Sequence, residues 1–200
     1  QFSIGCMTSL RQLELHEELN QWSDGAVRES VRHIVGVQFR NLATVGGSLF
    51  GRFGFSDVLT MFLVLDAQVE LYKGGIVPLS EYAERPKDRD ILVRIIVPKK
   101  NAKFNYQSVR ISQTDIPVLT CAAARLQDGS YRFAVGARPL KAVLYEEPAA
   151  PAQQLAETIQ QQVVTGSNMR GSAEYRRHLT GVLVRRAAEE LENRAVQEGN

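Results

Sequence analysis

The residues best able to do chemistry in this chain of 200 residues sit in one short stretch, Ala43-Thr44-Val45-Gly46-Gly47-Ser48, with Asp57 downstream of it. Two adjacent glycines accept backbone angles closed to other residues and remove the side chains that would hold a ligand away. Exposed N–H groups in such a turn form an anion-binding concavity, and the Thr44 and Ser48 hydroxyls add donors. The stretch thus suits a pyrophosphate without any lysine, although a Gly-Gly pair also serves as an ordinary tight turn. Asp57 has two compatible readings. It can charge the start of a helix, where the dipole favours a carboxylate, or it can accept hydrogen bonds from a ribose or an adenine.

Other reactive groups are sparse. Cys6 and Cys121 are the only cysteines, too few for an iron–sulfur cluster, which needs four ligands. His16, His33 and His178 lie far apart without metal-ligand spacing, so no metal site is expected. No nucleophile–base pair stands out, and no catalytic residue is assigned. The formal net charge is +2. The densest basic series, Arg170 to Arg186, is interleaved with acidic residues as on a solvated helix face. Nucleic acid binding is therefore not expected. The longest apolar run, around Met61 to Leu65, is too short for a membrane span. The opening QFSIGCMTSL does not read as a signal peptide, so the expected location is cytoplasmic.

The positioning elements follow from pattern. Phe2 to Met7 reads as a strand, and Ser9 with Gln12 as a capping box opening a helix to about Gln21. Val27, Val31, Ile34 and Val35 recur at helical spacing. Ser56-Asp57 opens a nearly all-apolar, buried helix to Leu65. Strands follow at Ala67 to Leu71, Ile76 to Leu79 and Ile91 to Val97, the first two turning at Gly74-Gly75. Further strands are expected at Phe104 to Ser112, Val118 to Gln127 and Ser130 to Gly136, the last two joined by Asp128-Gly129. A linker at Glu147 to Ala152 leads to a helix with Leu155, Ile159 and Val163 on one face. A last helix starts near Ser172, with a stripe of Tyr175, Leu179, Val182, Leu183 and Leu191. The class is α+β, divided at about Pro98 into residues 1–98 and 99–200.

Arg40-Asn41-Leu42-Ala43-Thr44-Val45-Gly46-Gly47-Ser48 followed by Asp57 resembles the RN-x-AT-x-GGN signature and Ser-Asp pair of the flavin subunits of molybdenum hydroxylases. That family includes xanthine dehydrogenases and aerobic carbon monoxide dehydrogenases. Ordered companions are Ile4-Gly5-Cys6 with Leu10, Asp90-Ile91-Leu92 with Pro98, Arg110 with Asp115-Ile116, and Ser172-Ala173-Glu174-Tyr175-Arg176-Arg177. The resemblance implies a PCMH-type FAD-binding central subdomain, then a carbon-monoxide-dehydrogenase-flavoprotein-like C-terminal subdomain with a three-stranded antiparallel sheet and helices. It implies an oxidoreductase subunit, inactive alone, that carries FAD and relays electrons. A molybdopterin-binding large subunit and a 2Fe-2S small subunit would be its partners, and NAD or another acceptor its outlet.

By the same resemblance, Ala43, Thr44, Val45, Gly46, Gly47 and Ser48 hold the FAD pyrophosphate and Asp57 the ribose or adenine side. Ile91 and Leu92 line the adenine or ring pocket. Tyr106 stands beside the flavin, where it either shields one ring face or is an ordinary strand aromatic. The closing helix is expected to be structural, its Tyr and Arg fastening it to the sheet. Two departures are visible: Ser48 replaces the family's Asn, and the family's N-terminal subdomain, with its AGGT-D-type loop, has no counterpart here. The chain is expected to be a fragment, split product or degenerate member with reduced FAD affinity, unless another chain supplies those donors. The alternatives are a scaffold module without flavin, or a flavin oxidase that attaches FAD covalently.

Overall fold

The computed structural model describes residues 1–86 and 89–198. The chain runs β1 (Phe2–Gly5), α1 (Leu10–Leu15), α2 (Glu17–Trp22), α3 (Ala26–Arg32), α4 (Val37–Leu42), α5 (Val45–Phe50), α6 (Asp57–Val64), β2 (Gln68–Leu71), β3 (Gly75–Pro78), α7 (Leu79–Glu84) and β4 (Leu92–Val97). It continues through β5 (Ala102–Val109), β6 (Leu119–Leu126), β7 (Tyr131–Gly136), β8 (Val143–Glu147), α8 (Ala152–Gln162) and α9 (Ala173–Glu198). The strands form two antiparallel sheets ordered β1-β4-β2-β3 and β5-β6-β7-β8. The α+β class expected from the sequence is what forms.

The second sheet has four strands rather than three. Its fourth, β8, pairs with β7 from Tyr131↔Glu147 to Val135↔Val143. The sequence VLYEE hides it because β8 is an edge strand whose residues are mostly half-buried, so no period-two alternation marks it. The first helix is also shorter than its pattern. The Ser9 capping box forms, with Ser9 Oγ accepting from Gln12 N–H and Gln12 Oε1 from Ser9 N–H. The helix then stops at His16, whose Nδ1 accepts from Leu19 N–H and caps a new helix, α2.

Helix α6 is the post between the two sheets. Every residue from Asp57 to Val64 is buried, as an all-apolar helix must be. Ser56 caps it by accepting from Leu59 N–H at 3.1 Å. On the sheet side it meets small residues: Ala122, Ala124 and Ala134 share the core that contains Leu59, Phe62 and Val69. The approach is close enough for Thr60 Oγ1 and Thr120 Oγ1 to bond at 3.1 Å. A Cβ on Gly136 would lie 2.2 Å from Thr60 Oγ1.

Strands β6 and β7 alternate between two cores, so Cys121, Ala123, Phe133 and Val135 face a second cluster with Leu155, Ile159, Leu183 and Leu191 of α8 and α9. Burial pushes the Cys121 thiol up to about 12, which leaves it an inert packing group. The outer edge of β5 is occupied where it leaves β4: Asp24 accepts from Phe104 N–H, and Arg194 donates to Phe104 O.

Of the tyrosine and arginines that open the closing helix, Arg176 is the one that fastens it. Arg176 is fully buried while Tyr175 is about half exposed. Its guanidinium donates to Val118 O at 2.9 Å, Gly166 O at 2.9 Å, Gly171 O and the Asn168 side chain at 2.5 Å. Arg176→Met leaves one buried and three part-buried acceptors without their donor, a buried one costing about 1–3 kcal/mol and the others less. We expect it to lower unfolding stability by at least about 3 kcal/mol in a urea titration, while Tyr175→Ala stays within about 0.5 kcal/mol.

Candidate functional site

The glycine segment is held against the exit of β1. Leu10 N–H donates to Ala43 O at 2.8 Å, and Val45 N–H donates to Thr8 O at 2.9 Å, making a short antiparallel bridge at Ser9↔Thr44. Thr44 then caps α5, its Oγ1 accepting from Gly47 N–H at 3.0 Å.

The open nest of free amides expected here is not what forms. Neither Gly46 nor Gly47 has a positive φ, because the pair lies inside the first turn of a helix. Gly46 N–H donates to Cys6 O at 2.9 Å and Ser48 N–H to Thr44 O at 3.1 Å, so all four amides from Val45 to Ser48 are committed. The glycines serve instead by lacking a Cβ. One on Gly46 would lie 2.5 Å from Cys6 O and 2.9 Å from Cys6 Cα, whereas one on Gly47 would meet only Thr44 Oγ1, at 3.1 Å. Gly46 lets the helix seat on β1, and Gly47 opens the surface above it.

That surface is one side of a cavity of about 310 Å³. Ala43, Thr44, Gly47, Ser48, Ser56 and Asp57 line its polar side; Leu10, Ile34, Phe39, Phe53, Phe55 and Val58 line the rest. Phe53 and Phe55 stack with ring centroids 5.4 Å apart. An apolar cleft of this size with a few convergent polar groups is the usual form of a small-molecule site.

The wall at Ile34 and Phe39 depends on a buried arginine. Val35 follows Ile34 with φ 50°, a strained angle for a β-branched residue. It ends the helical pattern expected through Ile34 and Val35, so α3 stops at Arg32. Arg40, buried, donates to Ile34 O and Val35 O at 3.2 Å each and pairs with Glu14 at 2.9 Å. Burial works to raise the Glu14 carboxyl, but Arg40 and Arg11 outweigh it and hold it below its ordinary value.

Asp57 occupies the first turn of α6 and is about 5% exposed. Its Oδ1 accepts from the Tyr106 hydroxyl at 2.5 Å and from Arg110 Nη2. Burial pushes the Asp57 carboxyl above its ordinary value, while Arg110 and Tyr106 pull against that. Burial, reinforced by the Asp57 charge, holds the Tyr106 phenol well above its ordinary value, so it stays a hydrogen-bond donor.

The structure thus gathers Ala43, Thr44, Gly47, Ser48 and Asp57 around one cavity. Val45 and Gly46 lie beneath it, both buried. Tyr106 stands behind Asp57 and lines the neighbouring cleft with His33 and Arg110. Ile91 and Leu92 are not in the cavity wall; Ile91 is exposed where β4 begins and Leu92 is buried. Sequence reasoning did not single out Arg110 as a site residue. Its signal was the two-residue strand period, which puts positions 106, 108 and 110 on one face. Phe53 and Phe55, likewise two apart, lie in the loop between α5 and α6, where no regular period marks them. Among the described residues, no group of three or more His, Cys, Asp or Glu could hold a metal ion, and no helix is long and apolar enough to cross a membrane.

Residues 1–100 match the model for the FAD binding domain in molybdopterin dehydrogenase. The chain belongs to that family. Residues 104–191 match the CO dehydrogenase flavoprotein C-terminal domain. The xanthine dehydrogenase FAD-binding subunit of Escherichia coli O157:H7 is 28% identical over 215 residues, covering 94% of this chain and 73% of that protein. The uncharacterized protein YgfM of Escherichia coli K12 is 27% identical over 184 residues, covering 90% of this chain and 69% of that one. Among solved structures, quinoline 2-oxidoreductase from Pseudomonas putida 86 superposes with a TM-score of 0.82 at 17% identity, over 96% of this chain and 75% of that one. Carbon monoxide dehydrogenase from Oligotropha carboxidovorans gives 0.82 at 22%, with the same coverages. These two establish a shared fold.

Two substitutions test the construction. Gly46→Ala forces Cβ into the Cys6 backbone and should cost about 1–3 kcal/mol, whereas Gly47→Ala meets only the Thr44 side chain and should cost less in the same denaturant titration. The Glu14–Arg40 pair should give a pH signature. A carboxylate lowered on folding adds stability that is complete above its ordinary value of 4.5 and disappears as pH falls through the folded value. The stability gap between wild type and Arg40→Met should therefore shrink below about pH 4.5, read from urea midpoints across pH.

Proposed function

We propose that this chain carries FAD as the electron-transferring subunit of a xanthine-dehydrogenase-type molybdenum hydroxylase. The observation that carries the reading is the cavity in which Thr44, Gly47, Ser48 and Asp57 converge beneath stacked Phe53 and Phe55. A bound FAD supplies a redox centre that accepts two electrons and can exchange them singly or in pairs. Iron–sulfur centres on a small partner subunit are the proposed source of electrons, a molybdopterin-binding large subunit their origin, and NAD or another acceptor their destination. The protein alone is proposed to be inactive and cytoplasmic, with residues 1–98 as the central flavin-binding unit and 99–200 as the C-terminal unit.

The residues present fit a flat aromatic cofactor better than a bare phosphate. The apolar walls offer ring faces, and such contacts contribute about 0.5–1.5 kcal/mol beyond burial. The Thr44 hydroxyl only accepts among the described residues, so its proton is available to an oxygen above Gly47. Asp57 supplies an acceptor for an N–H or O–H of the ligand. Val45 and Gly46 act from below, by fixing α5. Ile91 and Leu92 would meet only a part of the cofactor that extends past the cavity along β4.

The committed amides of α5 favour one second reading, a flavin-free scaffold of the same family. Titrating FAD into the purified chain while following flavin fluorescence separates the two. Saturable quenching, weakened about tenfold (about 1.4 kcal/mol) by Phe55→Ala, is the expected result. An unchanged flavin signal would leave the scaffold reading.

A further inference from the structure

We infer that Arg110 is the positioning residue of this cavity, holding Asp57 as an oriented carboxylate toward the bound cofactor; the inference rests on the FAD reading above. Arg110 does not line the cavity. It reaches Asp57 from the end of β5, and with Tyr106 it takes up only Oδ1. Oδ2 takes neither of these bonds, though the Asp57 amide also bonds the carboxyl, and Oδ2 is the oxygen assigned to an occupant.

A carboxylate this deeply buried would otherwise take up a proton and turn from acceptor to donor. The guanidinium is well placed to prevent that because it is itself fixed. Its Nη1 donates to Asp115 O, and Asp115 is tied to Arg170 at 3.0 Å. Its Nε donates to Ser108 Oγ at 3.3 Å. The Arg110 and Asp57 side chains are 8% and 6% exposed, so solvent screens the pair little. The polarity of the cavity's one charged wall is thereby set by a residue from the other half of the chain.

The charged and titratable groups around Asp57 are few. Tyr106 and Arg110 face it from β5. Glu29 of α3, His33 just after it and Arg186 of α9 share the cleft on the far side of both, and Cys121 of β6 lies near Tyr106. Among the described residues, Arg110 is the cation bonded to the carboxylate, and Arg186 is not among the groups that act on Asp57.

The test is a mutant cycle on the whole chain, with Arg110→Met, Arg110→Lys, Asp57→Asn and the double variant, read in two ways. In FAD titrations, Arg110→Met should weaken binding at least tenfold and Arg110→Lys should recover most of it. On an Asp57→Asn background, Arg110→Met should change affinity less than twofold. Equal losses on both backgrounds would mean that Arg110 acts through the fold, and no loss on either would mean that it does nothing; both overturn the inference. The second readout needs no cofactor: the carboxyl carbon of Asp57, followed by NMR across pH, should titrate at least one pH unit higher in Arg110→Met and near wild type in Arg110→Lys. An unmoved titration overturns the role of Arg110. If the titration moves as expected while wild type ignores FAD, the cofactor reading fails and the Asp57–Arg110 link stands.

Discussion

A helix with no face toward water must have its polar ends met by protein, and that requirement organises this molecule around α6. Its first turn carries Ser56, whose hydroxyl takes an otherwise orphaned backbone donor, and Asp57, whose charge complements the helix dipole. The dipole alone is too weak, at about 0.3–1 kcal/mol, to offset the cost of removing a carboxylate from water, which is several kcal/mol even after relaxation. The remainder is supplied by Arg110 and Tyr106 from β5. One buried charge thereby ties α6 to the second sheet at the wall of the cavity.

The same logic recurs with other arginines. Arg40 sits beneath the opposite wall, holding the strained corner at Val35 while paired with Glu14. Arg52, at φ 48°, follows α5 and donates to the carbonyls of Tyr82, Arg85 and Pro86 at the end of α7. Arg176 gathers the loops before α9. A guanidinium suits these places because its donors spread in a plane and it keeps its charge when buried. At each of these places a loop is held by a buried guanidinium that gathers its carbonyls, and at the cavity wall that role falls to Arg40.

Much of this was legible in the sequence. The buried helix after Ser56, the capping box at Ser9 and the apolar stripe of Leu155, Ile159 and Val163 are local signals, and they appear as read. What failed depended on distant partners. The glycine pair read as an open turn because local pattern does not show Cys6 O waiting for the Gly46 amide. Strand β8 was invisible without β7 to pair it. Ile34 and Val35 kept a helical rhythm, but the guanidinium of Arg40 holds them in a corner. At the site, the motif located Thr44, Gly47, Ser48 and Asp57. The aromatic wall of Phe53 and Phe55 and the reach of Arg110 to Asp57 required the fold, since no local pattern shows the stacked rings or the partner of a residue at the end of β5.

The treatment of Phe104 has a consequence for how the chain behaves at high concentration. An outer strand with bare amides and carbonyls is a template on which another chain can add itself, and proteins that avoid fibres cover such edges. Here Asp24 occupies the amide and Arg194 the carbonyl where β5 leaves the first half of the molecule. The other outer strand, β8, ends in Glu146 and Glu147 and runs into Pro148, which cannot donate to a ladder. The second sheet is thus guarded at one point on each outer strand, by Asp24 and Arg194 at Phe104 and by the charged, proline-terminated end of β8, which disfavours unplanned strand addition there.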